Sequence, residues 1–161
     1  MSPVAEPART TPRRLRTRPT WLLAQANTRA HGLLAGALAA SGTRGHHYRL
    51  LAALEEFGPA SQIEVGRRVA LDRSDVTLGL DELERRGLVR REPAPGDRRR
   101  KRVLLTPAGR RLLLGLDVVV QQVQDEFLEP LTRQERETLC TLLQRLGDPA
   151  SGGSAPRPPV E

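Results

Sequence analysis

The densest chemistry in the chain is a run of five cations, Arg98-Arg99-Arg100-Lys101-Arg102, which follows directly on Pro93-Ala94-Pro95-Gly96-Asp97. Guanidinium groups crowded at that spacing repel one another unless an anion lies close. A duplex supplies one, as a phosphate ridge or as the negative potential of a narrow minor groove. A second set, Arg73, Ser74 and Thr77, follows Asp72. Short polar side chains with an arginine suit the first turn of a helix entering the major groove, where they reach base edges and phosphates without bulk. On an isolated helix the same three residues would read as a solvated face, so the neighbouring elements have to decide between the two.

Other chemistries find less support. There is no Ser/His/Asp arrangement, glycine-rich phosphate loop or paired-carboxylate site, and Gly96 belongs to a turn, so an enzyme is not expected. His46 and His47 are adjacent and lack the Cys/His spacing of a tetrahedral site, so neither a metal nor a cofactor is expected. The single cysteine, Cys140, has no internal partner and falls on a late helix, where it is expected to be a buried, inert thiol.

The charge balance points the same way as the cationic run. Lys+Arg outnumber Asp+Glu by 26 to 19, a net charge of +7, and Lys101 is the one lysine. An arginine-rich source composition accounts for the missing lysines but not for the excess of positive charge, which favours a polyanionic partner. With one Trp, one Tyr and two Phe, single-strand binding by base stacking is disfavoured, because it needs several exposed rings. The apolar segments are interrupted by Arg, Glu or Gln too often to span a bilayer. The basic residues through Arg18 are not followed by the apolar core and cleavage site of a signal peptide, so a cytoplasmic protein without membrane contact is expected.

The elements that must position these residues read mainly as α-helices around a small β-hairpin. Residues 1–18 and 148–161, rich in Pro, Arg, Gly and Ser, bury too little to offset chain entropy and are expected to be disordered. Between them, 19–147 form one domain. A first helix is predicted over 21–40, with an apolar stripe of Leu22, Leu23, Ala26, Ala30, Leu33, Leu34 and Leu38. A second starts at Gly45 and stops sharply at Gly58-Pro59.

Ser61 with Glu64 forms a capping box and opens a short third helix over 61–69. Asp72 with Asp75 opens a fourth, lined by Val76, Leu80 and Leu83 and ending at Gly87. The link Ala70-Leu71-Asp72 leaves room only for a steep turn, as in a helix-turn-helix. From Leu88 to Leu105 the pattern alternates about a turn at 93–97, which predicts a hairpin. Thr106-Pro107 caps a fifth helix to Phe127, and Thr132 with Glu135 opens a sixth that carries Leu139, Leu142, Leu143 and Leu146.

The order and spacing of Gln62-Ile63-Glu64-Val65-Gly66-Arg67-Arg68, Asp81-Glu82-Leu83-Glu84-Arg85-Arg86-Gly87-Leu88-Val89, Gly96-Asp97-Arg98-Arg99 and Leu105-Thr106-Pro107-Ala108-Gly109 resemble the MarR (multiple antibiotic resistance regulator) pattern over about residues 20–147. The resemblance implies a winged helix-turn-helix transcriptional regulator, most often a repressor. In it Asp97 orients Arg99 toward the minor groove, while Arg98 and Arg100 touch phosphate or steady the loop. The chain departs from the pattern at Leu78-Gly79, where many relatives place a polar or basic residue.

Winged helices of this size gain affinity by setting two recognition helices roughly 34 to 36 Å apart on a palindrome. The apolar excess of helices 20–41 and 107–147 is expected to close such a homodimer around DNA-binding lobes at 45–105. Regulators that resemble this chain often bind a small aromatic or phenolic ligand between these parts. Trp21, His31, His46, His47, Tyr48 and Arg49 are candidates for such a pocket, although Trp21 reads better as dimer core and the histidines as partly exposed groups near helix ends. An alternative function is a winged-helix interaction module whose arginine wing meets an acidic protein partner.

Overall fold

Pro19, with φ preset near the helical value and no N–H to leave unpaired, starts α1 (Pro19–Ala39), two residues earlier than the apolar period predicts. The computed structural model describes residues 11–148. The expected order of elements follows: α2 (Gly45–Phe57), α3 (Gln62–Arg68), α4 (Arg73–Arg85), β1 (Val89–Ala94), β2 (Asp97–Leu105), α5 (Pro107–Phe127) and α6 (Arg133–Gly147). This is the mainly α architecture with a two-stranded antiparallel wing that the sequence predicts.

Local chemistry sets most of the boundaries. Ser61 Oγ accepts from the Glu64 N–H while Glu64 Oε2 accepts from the Ser61 N–H at 2.9 Å, so two donors at the head of α3 are satisfied reciprocally. Asp72 accepts from the Asp75 N–H at 2.9 Å and caps α4. Between them Ala70 takes φ 50° as the Leu71 N–H donates to Gly66 O and the Ala70 N–H donates to Arg67 O. That pair of bonds is a Schellman stop, which turns the chain from α3 into α4 within the four residues 69–72.

The chain divides after Val123 into two units. In the first, one core joins Leu38 of α1, Leu50, Leu51 and Leu54 of α2, Val65 of α3, and Val76, Leu80 and Leu83 of α4. Val89 and Val103 of the hairpin and Leu113 and Leu116 of α5 complete it. In the second unit, Thr132 and Glu135 cap α6 reciprocally, and Arg136 donates to Leu131 O at 3.1 Å. No α6 residue is buried, and Leu142, Leu143 and Leu146 are exposed. Cys140, expected to be buried, is exposed too, on a helix in which no residue is buried.

Two features of the wing differ from expectation. The turn is only Pro95-Gly96, not the whole of 93–97, with Ala94 paired to Asp97 and Pro93 to Lys101. Proline at the first central position and Gly96 at φ 80° at the second are the preferences of a type II turn. The second difference is Ala60, which bridges Val103 through bonds of 3.2 and 2.8 Å and so adds a one-residue third strand ahead of α3.

Candidate nucleic-acid interface

α4 is held from three sides, and these supports determine which of its residues face outward. Against α2, His47 Nε2 lies 2.8 Å from Glu82 Oε2. His47 Nδ1 accepts from the Arg44 N–H at 3.3 Å, so the proton of the neutral ring sits on Nε2, beside the Glu82 carboxylate but without the alignment of a hydrogen bond. His47 is 1% exposed and so is not the partly exposed group expected; the fold pairs it with a carboxylate on another helix.

Burial, with the neighbouring His46 next, lowers its pKa to about 4 from an ordinary 6.5. The sign follows directly. The unfolded chain takes up a proton below pH 6.5 that the folded ring refuses, so folded stability is lost on acidification from pH 6.5 towards 4. A urea-unfolding midpoint that falls between pH 6.5 and 4.5, before most carboxylates titrate, is the expected result. A midpoint flat across that window would contradict a neutral His47.

His46, His47 and Glu82 offer ligand atoms within 4.8 Å of one another, a grouping that adjacency in sequence did not suggest because Glu82 arrives from α4. The bond that His47 Nδ1 accepts leaves the ring proton on Nε2, the atom that faces Glu82, and a protonated nitrogen has no lone pair for a metal.

From the wing side, Arg91 Nη2 lies 2.7 Å from Asp81 Oδ1, and Nη1 pairs with Glu84 Oε2. The Arg91 N–H donates to Glu84 Oε1 at 2.9 Å, and the guanidinium also reaches Gln62 Oε1 of α3 at 3.4 Å. Arg91, 19% exposed, therefore ties wing, α4 and α3 together. Gln62 in turn donates to Thr77 Oγ1 at 2.6 Å. The sequence pointed to no such role for Arg91, an ordinary polar position of the hairpin.

On the outward face of α4, Arg73, Ser74, Thr77 and Leu78 are exposed. The Ser74 hydroxyl donates to Asp72 Oδ1 at 2.6 Å, and this bond together with the Asp75 N–H holds the Asp72 carboxyl below its usual range. The Thr77 hydroxyl donates to Arg73 O at 2.8 Å. With both protons committed, these hydroxyls meet an outside partner as acceptors only.

In the wing, Arg102 pairs with Glu92 across the strands and is neutralised within the sheet. Arg99, Arg100 and Lys101 are exposed. Asp97 Oδ1 accepts from the Arg99 N–H at 2.9 Å, and its Oδ2 lies 3.5 Å from Arg100 Nε. The carboxylate thus fixes the backbone at the point where the Arg99 side chain leaves the strand, and Arg99 has no ion pair with any described residue. Arg98 lies in β2 by its backbone, and its side chain falls outside what is described.

The candidate ligand residues are not drawn to a common centre by their bonds. Trp21 and His31 belong to α1, where His31 is exposed. The Tyr48 hydroxyl donates to Asp117 Oδ1 of α5 at 2.9 Å, and Arg49 donates to Val69 O at 3.3 Å.

Comparison with known proteins gives a consistent result. Residues 41–100 match the model described as MarR family. A probable transcriptional regulator from Pseudomonas aeruginosa is 37% identical, with a TM-score of 0.75, over 81% of this chain and 97% of its own. The PcaV transcriptional regulator of Streptomyces coelicolor, solved with its natural ligand, is 34% identical with a TM-score of 0.74 over 84% and 96%. BpsR of Bordetella bronchiseptica, whose DNA binding is regulated by 6-hydroxynicotinic acid, is 26% identical with a TM-score of 0.79 over 86% and 99%.

Proposed function

The chain belongs to the MarR family of transcriptional regulators, and from that premise we propose that it is a homodimeric repressor that binds palindromic double-stranded operators. In this reading α4 enters the major groove and reads bases through Arg73, Ser74 and Thr77. The wing grips alongside, with Arg99 in the minor groove, Asp97 orienting it, and Arg98 and Arg100 on phosphate. The observation that carries the reading is the division among the wing's arginines. Arg91 and Arg102 are paired with carboxylates of the fold, whereas Arg99 projects with no ion-pair partner among the described residues.

Burial supports the proposed domain plan. The core of 45–105 also takes in Leu38 of α1 and Leu113 and Leu116 of α5, while Leu22 and Leu23 of α1 and Leu142 and Leu146 of α6 stay exposed. The exposed leucines support helices 20–41 and 107–147 as the proposed dimer surface, flanked by a basic arm at 1–18 and a tail at 148–161. Residues 1–10 and 149–161 of these lie outside the described residues. Among the described residues no helix is long and apolar enough to cross a membrane. A regulator of this kind works in the cytoplasm and performs no catalysis.

A small aromatic acid is the proposed inducer, supported by the ligand-regulated relatives. Trp21, His31 and Arg49 are its candidate contacts, and His47 would take part only if it left its buried place beside Glu82. Such a ligand acts by preferring one spacing of the two lobes over the other.

Selecting random duplexes with the purified protein tests the reading. A two-fold-symmetric sequence with half-sites about one DNA turn apart is expected, and recovery of random sequence would contradict it. With that duplex, Arg73→Ala should flatten base preference at one position of each half-site while lowering non-specific affinity less. A uniform loss over all sequences would instead reassign Arg73 to phosphate.

A further inference from the structure

We infer that Leu78 determines specificity by reading the 5-methyl group of a pyrimidine in the major groove, thymine in unmodified DNA. The inference rests on α4 as the inserted helix and adds what that helix selects.

The rotation of α4 is fixed by its buried residues Val76, Gly79, Leu80 and Leu83. At about 100° per residue, Ser74, Leu78 and Arg85 fall on the opposite line. Gly79 fits this rotation. A Cβ there would lie 2.8 Å from Leu50 Cδ1 and 3.0 Å from His46 Cδ2, so this face of the helix packs closely on the side chains of α2 and Leu78 is turned away from them. Leu78 is left 51% exposed. It lies in an open depression lined otherwise by Asp72, Arg73, Ser74, Thr77 and Asp81, where it is the one apolar side chain. Asp81 is paired with Arg91, which reduces its repulsion of phosphate.

An apolar side chain at the centre of this face restricts what can lie beneath it. Major-groove edges present acceptors at guanine N7 and O6, adenine N7 and thymine O4, amino donors on adenine and cytosine, and a single apolar group, the thymine methyl. Leucine over a polar edge would strip water from it and return no hydrogen bond. Over the methyl, both surfaces leave water together. A 5-methylcytosine presents the same methyl group, so the class recognised is a 5-methylpyrimidine.

The test replaces each thymine of the selected duplex in turn by uracil, symmetrically in both half-sites, and measures binding by fluorescence anisotropy. At one position the affinity should fall about fourfold per half-site, the equivalent of one buried methyl-sized group. Leu78→Ala, a surface change that should leave the unfolding midpoint in place, should bring the thymine-to-uracil ratio at that position to about one. Cytosine there should bind better once 5-methylated. Uracil tolerated at every position by the unmodified protein, or a ratio unchanged in Leu78→Ala, would overturn the inference while leaving the operator-binding reading intact. Binding with no sequence preference at all would remove both.

Discussion

Replacing Gly109 by alanine is expected to lower the unfolding free energy by about 3 kcal/mol, the upper part of the range for overpacking. The Thr106 hydroxyl donates toward Gly87 O and Leu88 O and accepts from the Gly109 N–H at 3.0 Å, which holds the head of α5 hard against the end of the segment that enters β1. A Cβ on Gly109 would sit 2.1 Å from the Leu88 carbonyl oxygen and 2.7 Å from Leu105 Cδ1. A backbone oxygen cannot swing aside as a side chain can, so α5 or the wing must shift. Gly115, further along the same helix, has nothing within 4 Å of its Cβ position. Gly115→Ala should therefore stabilise by about 0.5–1 kcal/mol, the gain of alanine over glycine in a helix interior. Urea unfolding at one protomer concentration compares the two. Similar midpoints for both variants would refute the close approach.

Arg99→Ala should weaken operator binding by about 1–3 kcal/mol per half-site, the range for a good groove contact. The size of the effect depends on preorganisation. Asp97 holds the Arg99 N–H, so the side chain leaves the strand from a fixed backbone point. Asp97→Ala should cost less than Arg99→Ala, because it frees the loop but keeps the guanidinium. Arg102→Ala should act differently, since that guanidinium faces Glu92; its loss disturbs the sheet more than the contact with DNA. Gel-shift titrations of the three variants on one duplex give the ranking, and an unchanged affinity for Arg99→Ala would exclude the wing from the interface.

What the sequence made legible was local. Ser61 with Glu64, Thr132 with Glu135 and Thr106 before Pro107 are capping devices whose partners lie within a few residues, and each forms where its spacing predicts. The wing was readable from its alternation, and the fold class from the order of these signals together with the MarR resemblance. Hidden features were those in which the fold joins distant residues. Arg91 looked like an outward polar position but ties the wing to Asp81 and Glu84. His47 looked half-exposed until α4 brought Glu82 to it. Ala60 carries no strand signal because one residue has no period to reveal. Leu78-Gly79 read as a departure from the family pattern. The close packing of Gly79 on Leu50 and His46 supplies its physical reason.

The central claim is that Arg73 of α4 and Arg99 of the wing meet a duplex, and the salt dependence of binding to the selected palindrome tests it most directly. Each neutralised phosphate contributes a slope of about −0.9 to log K against log salt. A dimer using both elements should show a slope of roughly −5 to −9, with a preference of at least about 10³ over scrambled duplex. A shallow slope, or equal affinity for palindrome, scrambled duplex and an acidic polypeptide, would contradict the claim and make the wing a general anion-binding surface.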